Sequence, residues 1–89
     1  MQAYPNLRHI RLFQHAAATN SLSKAAEAVR VSQPAASQAI SKLENLYGGL
    51  LFERRGSGVF PTERGALVAV RAGRVLDILR EANARLARQ

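Results

Sequence analysis

The chain predicts a mainly α fold, a winged helix-turn-helix of three helices and a two-stranded wing followed by a long helix, and three observations carry that expectation. Residues 21–46 divide into two short amphipathic helices with a tight turn between them. Residues 50–61 hold two short strand-like runs on either side of a basic, glycine-rich turn. From Glu63 onward, apolar residues recur at spacings of three and four to the chain end.

The first element is a supporting helix. Asn6 can cap a helix from Leu7 to about Thr19, with Leu7, Ile10, Phe13 and Ala17 as its buried stripe. His9 and His15 lie on it six residues apart, which is not the i, i+3 or i, i+4 spacing of paired metal ligands, and no carboxylate belongs to that helix. Both read as surface or packing residues, and no metal or other cofactor is expected.

Ser21 caps the next helix, whose Leu22, Ala25, Ala26 and Val29 share one face while Lys24, Glu27 and Arg30 look outward. The period breaks at Arg30-Val31-Ser32. Ser32 can cap a new helix there, and Pro34 falls in its first turn, where a missing N–H costs little. In this helix Ala36, Ala39, Ile40, Leu43 and Leu46 form the buried stripe, leaving Gln33, Pro34, Ser37, Gln38, Ser41 and Lys42 on the other side. A solvated helix face ordinarily mixes Glu with Lys. A rod that slides between two phosphate walls and offers donors and acceptors to base edges favours Gln, Ser and small residues instead. Ala25, Ala26 and Ala36 also permit the close, steep crossing that a helix-turn-helix requires. The alternative for this segment is an ordinary αα-corner in a small helical domain.

Tyr47-Gly48-Gly49 ends the recognition candidate with Gly at the left-handed position. Leu50-Leu51-Phe52-Glu53-Arg54 then reads as a strand, Arg55-Gly56-Ser57-Gly58 as a turn, and Val59-Phe60 as the returning strand. Such a wing, spanning about 50–61, can lay Arg54 or Arg55 against a sugar-phosphate backbone. The alternative is a surface hairpin whose arginines only keep it soluble.

Thr62 can cap the last helix, which would reach roughly 40 Å if it ran to the chain end. Val68, Ala72, Val75, Leu79, Ala82 and Leu86 alternate spacings of four and three, an a/d seam widened by Leu76 and Ile78. A small domain cannot cover such a seam along its whole length. The simplest partner is the same helix of a second chain around a two-fold axis, weakened where Ala replaces Leu. Asp77 with Arg80 and Glu81 with Arg85 read as exposed intrahelical pairs.

Composition agrees with a polyanionic partner. Thirteen Lys plus Arg against six Asp plus Glu give a formal charge of +7, and the sequence pI is near 11.4. The excess is shared between residues 1–62 and 63–89 and is not a basic tail. No cysteine is available for a disulfide or a thiolate metal site, and no apolar run is long enough for a membrane span or signal-peptide core. The expected location is therefore cytoplasmic, in association with the nucleoid. No nucleophile with a nearby base, carboxylate pair or phosphate-cradling Gly loop is found, so the chain does not read as an enzyme.

Taken in order, Phe13, Ser21-Leu22 with Ala25-Ala26, Ser32-Gln33-Pro34-Ala35 followed by Ser37 and Ile40, Leu43-Glu44, Gly48, Leu51-Phe52 with Arg54, and Thr62 with Gly65 resemble the LysR-type transcriptional regulators over nearly the whole chain. The resemblance implies a bacterial winged helix-turn-helix at residues 5–62, with the helix-turn-helix at about 22–41, and a linker helix at 63–89 that dimerises. It implies binding to an interrupted inverted repeat in double-stranded promoter DNA, with a tetramer open for a full-length protein. The family's inducer-binding domain is not read in this chain, so no small-molecule ligand is expected here.

By matching position, the resemblance places base reading on Gln33, Pro34, Ser37 and Gln38, and phosphate contacts on Ser32, Ser41, Lys42, Arg54 and Arg55. Side-chain chemistry supports most of these. The Gln38 amide suits a bidentate contact with adenine, Pro34 and Ala35 can pack on a thymine methyl, and Ser37 can donate or accept. The dimer contacts fall on Val68, Ala72, Val75, Leu76, Leu79, Ala82 and Leu86. Two positions depart from the family pattern: Ser57 replaces a frequent basic wing residue, and Pro61 replaces an aliphatic residue, which should stiffen the approach to the long helix. Two other readings remain beside this one, a winged-helix protein-interaction module and a non-specific basic nucleic-acid-binding protein.

Overall fold

A computed structural model describes residues 4–87 as three packed helices, a β-hairpin and a projecting fourth helix. In chain order these are α1 (Leu7–Thr19), α2 (Leu22–Val29), α3 (Gln33–Tyr47), β1 (Phe52–Arg55), β2 (Gly58–Pro61) and α4 (Glu63–Ala87). Polar side chains set the starts of the first three helices, where free N–H groups need acceptors. Asn6 accepts from Arg8 N at 2.8 Å, Ser21 from Lys24 N at 3.1 Å, and Ser32 from Ala35 N at 3.2 Å. The stops use left-handed residues. Asn20 (φ 56°), Arg30 (φ 60°) and Gly48 (φ 77°) each turn the chain and return an N–H to the preceding helix.

The core lies between α1, α2 and α3 and is closed by the chain before the wing. Phe13, Leu12, Leu43 and Leu51 are its largest fully buried side chains, and the rings of Phe13 and Phe52 meet with centroids 5.0 Å apart. Ala16, Ala25, Ala26, Ala36 and Ala39 are buried at the helix crossings, where small side chains let backbones approach closely. α1 begins and ends as expected, but its buried face is rotated from the expected stripe. Leu7 is exposed and Ala17 half-buried, while Leu12 and Ala16 join Ile10 and Phe13 in the core because α1 is covered on two sides, by the α2–α3 pair and by α4. Leu46 is likewise only half-buried.

Ladder pairing begins at Phe52, two residues after the expected strand start. The reason is hydrogen bonding: the Leu51 and Phe52 N–H groups donate to the Glu44 carboxylate at 2.9 and 3.4 Å. The Leu50 and Leu51 carbonyls accept from Thr62 Oγ1 at 2.7 Å and Thr62 N at 3.0 Å. Thr62 also accepts from Gly65 N at 3.0 Å, so one side chain joins the pre-wing segment to the first turn of α4. Gly65 is buried against the Leu51 carbonyl, and any Cβ there would run into that backbone.

The apolar stripe of α4 is covered by the body only over its first half. Ala72 and Leu76 are buried and Val68 is partly buried against the core, with Gln14 Nε2 donating to the Ala69 carbonyl at 3.0 Å. The intermolecular seam expected from spacing is corrected here, since Ala72 and Leu76 are buried within their own chain. Val75, Leu79, Ala82 and Leu86 remain exposed, joined by Leu67 and Ile78. From Asp77 onward every described residue of α4 is exposed. No described helix is long and apolar enough to cross a membrane.

Candidate nucleic-acid interface

α3 is held from below and bare above. Its Ala36, Ala39, Ile40 and Leu43 face the core, and the same 3.6-residue period turns Gln33, Pro34, Ala35, Ser37, Gln38, Ser41 and Lys42 to solvent, all of them exposed. No acidic residue occupies the first turn, so the positive end of the helix dipole is not neutralised there. Ser32 is exposed beside it, with its hydroxyl capping Ala35 N. The outward face thus presents amides, hydroxyls and small apolar groups, with the Lys42 cation one turn beyond Gln38.

The wing stands beside this face. Its register pairs Phe52 with Pro61, Glu53 with Phe60, Arg54 with Val59 and Arg55 with Gly58. A two-residue turn closes it, with positive φ at Gly56 (58°) and not at Ser57, the arrangement of a type II′ turn. Strand alternation separates the two arginines. Arg54 shares a groove with Ser37, Ser41, Leu50 and Phe52, which places it on the side of the hairpin nearest α3. Arg55 lies on the other side, its guanidinium 4.7 Å from the centre of the Phe60 ring and its Nε 3.8 Å from Glu53. Among the described residues Arg54 makes no hydrogen bond or ion pair, so the two cations expected to be equivalent differ: Arg55 is already engaged.

A residue absent from the expected site fastens the wing to the helices. Asn20 carries the left-handed turn between α1 and α2, accepts from Val59 N at 3.1 Å and donates its Nδ2 to the Val59 carbonyl at 3.1 Å. Its sequence signal, Asn immediately after a helix, announces the turn but not the strand it holds.

Carboxylates near the interface are occupied elsewhere. Glu44 serves the pre-wing N–H groups and Glu53 faces Arg55. On the far side of α3, half-buried His9 borders a groove with Val29, Val31, Ala35 and Ala39. Burial lowers its pKa below the usual imidazole value, and the positive charges of Lys42 and Arg8 lower it further.

A second, apolar groove lies between the start of α1 and the first half of α4. Pro5, Leu7, Ile10, Tyr47, Leu67 and Val75 line it, and it continues the exposed stripe of α4.

Comparison with known proteins gives concordant matches. The family profile described as bacterial regulatory helix-turn-helix protein, LysR family, matches residues 7–66. The chain is 40% identical over 86 residues to the HTH-type transcriptional regulator GbpR of Azospirillum brasilense, covering 97% of this chain and 25% of that protein. Among solved structures, a Corynebacterium glutamicum OxyR C206 mutant superposes with TM-score 0.89 at 29% identity, over 98% of this chain and 28% of the other. The BenM DNA-binding domain in complex with catB site 1 DNA superposes with TM-score 0.85 at 30% identity, over 93% of this chain and 92% of the other. The chain spans about a quarter of the length of the curated relatives it matches.

Proposed function

Because this chain belongs to the LysR family of bacterial regulatory helix-turn-helix proteins, we propose that it binds double-stranded DNA sequence-specifically as the DNA-binding part of a dimeric transcriptional regulator. Residues 5–62 form the DNA-binding unit in this reading, and residues from 63 onward form the dimerisation arm. The observation that carries it is the exposed face of α3. The seven exposed positions from Gln33 to Lys42 hold no carboxylate, offer amide and hydroxyl groups at the centre and the Lys42 cation at one end, and lie beside Arg54 of the wing. The likeness to a DNA-binding domain solved on its DNA site supports the same reading.

α3 enters the major groove, whose width admits a helix and whose edges distinguish all four base pairs. Gln33, Pro34, Ala35, Ser37 and Gln38 meet base edges. Ser32, Ser41, Lys42 and Arg54 meet phosphates, which fix register without reading sequence. Arg55 reaches the backbone only by leaving Phe60 and Glu53, so its contribution is the smaller of the two wing arginines. Dimerisation uses the exposed stripe of Val75, Leu79, Ala82 and Leu86 together with Leu67 and Ile78, which no other part of the described chain covers. The activity is binding, and no catalytic step is assigned.

Selection of bound duplexes from a random pool tests this directly. Recovery of one motif repeated in inverted orientation supports it. Salt-sensitive binding with no enriched motif would instead mark a general basic nucleic-acid-binding protein.

A further inference from the structure

Resting on the DNA-binding reading above, we infer that Arg64 is a positioning residue that sets the angle between the recognition helix and the dimer arm, and with it the half-site spacing the dimer accepts. Arg64 lies in the first turn of α4, yet its Nη1 donates to the carbonyl of Tyr47, the last residue of α3, at 2.7 Å. Among the described residues this is the one hydrogen bond between α3 and α4.

The end of α3 needs such a partner. The N–H groups of Gly48 and Gly49 both return to the Glu44 carbonyl, which leaves the Tyr47 carbonyl to find a donor outside the helix. The last turn of α3 also carries no basic residue of its own. Arg64 supplies both the donor and the positive charge that favours a helix C-terminus. Its stem is seated as well. An ideal Cβ on Gly49 would lie 2.7 Å from Nε and 3.3 Å from Cδ, so the guanidinium crosses where only glycine leaves room.

Position in the fold turns this contact into a geometric control. The pre-wing segment is held at Leu51 both by Glu44 of α3, which accepts from its N–H, and by Thr62, two residues before Arg64, whose N–H donates to its carbonyl. Arg64 closes that loop back onto α3. A small rotation of α4 at this point is magnified along a helix of 25 residues, roughly 38 Å, and so alters how far apart two recognition helices sit in a dimer. Arg64 is exposed, so its loss leaves the core intact.

The test selects inverted repeats from a duplex pool in which both sequence and spacer length are randomised. The wild-type chain is expected to recover one spacer. Arg64→Ala and Arg64→Met should fold normally, bind a single half-site as well as wild type, and spread over neighbouring spacers. Their discrimination against a spacer wrong by one base pair should fall about two- to tenfold, the range one net hydrogen bond can carry. Arg64→Lys, which keeps a donor and the charge, should restore part of it. Gly49 has no positive φ, so Gly49→Ala displaces the guanidinium without backbone strain. It should reproduce Arg64→Ala, and the double variant should be no worse than either. A folded Arg64→Ala with the wild-type spacer preference would overturn the inference, as would failure of Arg64→Lys to differ from Arg64→Met. A wild-type selection without any motif would instead overturn the DNA-binding reading on which it rests.

Discussion

Gln38 and the two wing arginines, Arg54 and Arg55, are all exposed and differ in what they can do. Gln38 is exposed at the centre of the α3 face, and its planar amide can meet adenine through paired hydrogen bonds. Gln38→Ala should cost about 1–3 kcal/mol on the preferred site and relax preference at one base pair. Competition binding against single-position variants checks it, and an equal loss on every sequence would reassign Gln38 to the backbone. Arg54 has the opposite signature. Arg54→Ala should weaken binding on all sequences and make the slope of log affinity against log salt shallower by about one. Arg55→Ala should change that slope less, since its charge is already shared with Glu53 and Phe60. His9 adds a dependence on acidity. Its folded pKa is depressed by burial and by Lys42 and Arg8, so the unfolded chain binds the proton more readily. Stability is therefore full above the unfolded imidazole pKa of about 6.5 and is lost as pH falls toward the lower folded value. Denaturant titrations at stepped pH should show His9→Gln with a flatter acid limb than wild type.

At the level of elements, the junction between the wing and α4 depends on close backbone approach. Gly65 in the first turn of α4 touches the Leu51 carbonyl so nearly that a methyl group has no room. Gly65→Ala should force α4 away from the pre-wing segment at a cost of about 1–3 kcal/mol, the usual range for overpacking. For a domain this size that is a fall of about 4–8 °C in Tm per kcal/mol, read by circular dichroism. An unchanged Tm would show that the turn relaxes freely. The α3 face was legible from Ser32, Pro34 and the small-residue spacing because local capping and a 3.6-residue period act within one helix. Its attachments were not. Asn20 meets Val59 across 39 positions and Arg64 meets Tyr47 across 17, and no periodicity reports such pairings.

For the whole molecule, the issue is which half of the α4 apolar surface is left for another chain. Leu79→Glu falls on the exposed stripe and should leave the monomer folded while shifting the chain toward monomer in sedimentation experiments. Leu76 is buried on the body of its own chain, so Leu76→Ala should instead lower stability by about 2–5 kcal/mol. If Leu79→Glu left a dimer intact, the arm would pair through some other face. The two positions are three apart and neighbours on one side of the helix, so their effects separate by readout, stability for Leu76 and association for Leu79.

The amino-acid order by itself determined the number and kind of elements, the helix starts, the outward face of α3 and the family resemblance, because these depend on caps, turns and spacing within short stretches. Tertiary packing decided which way α1 is turned, how much of the α4 stripe is covered, which wing arginine is left unengaged, and how α3 is tied to α4. The reason is that a helix with apolar residues on more than one side has several faces it could bury. Only the neighbours that close on α1 select among them, covering Leu12 while leaving Leu7 in solvent, and on α4 the body covers Ala72 and Leu76 but ends before Leu79 on the same side.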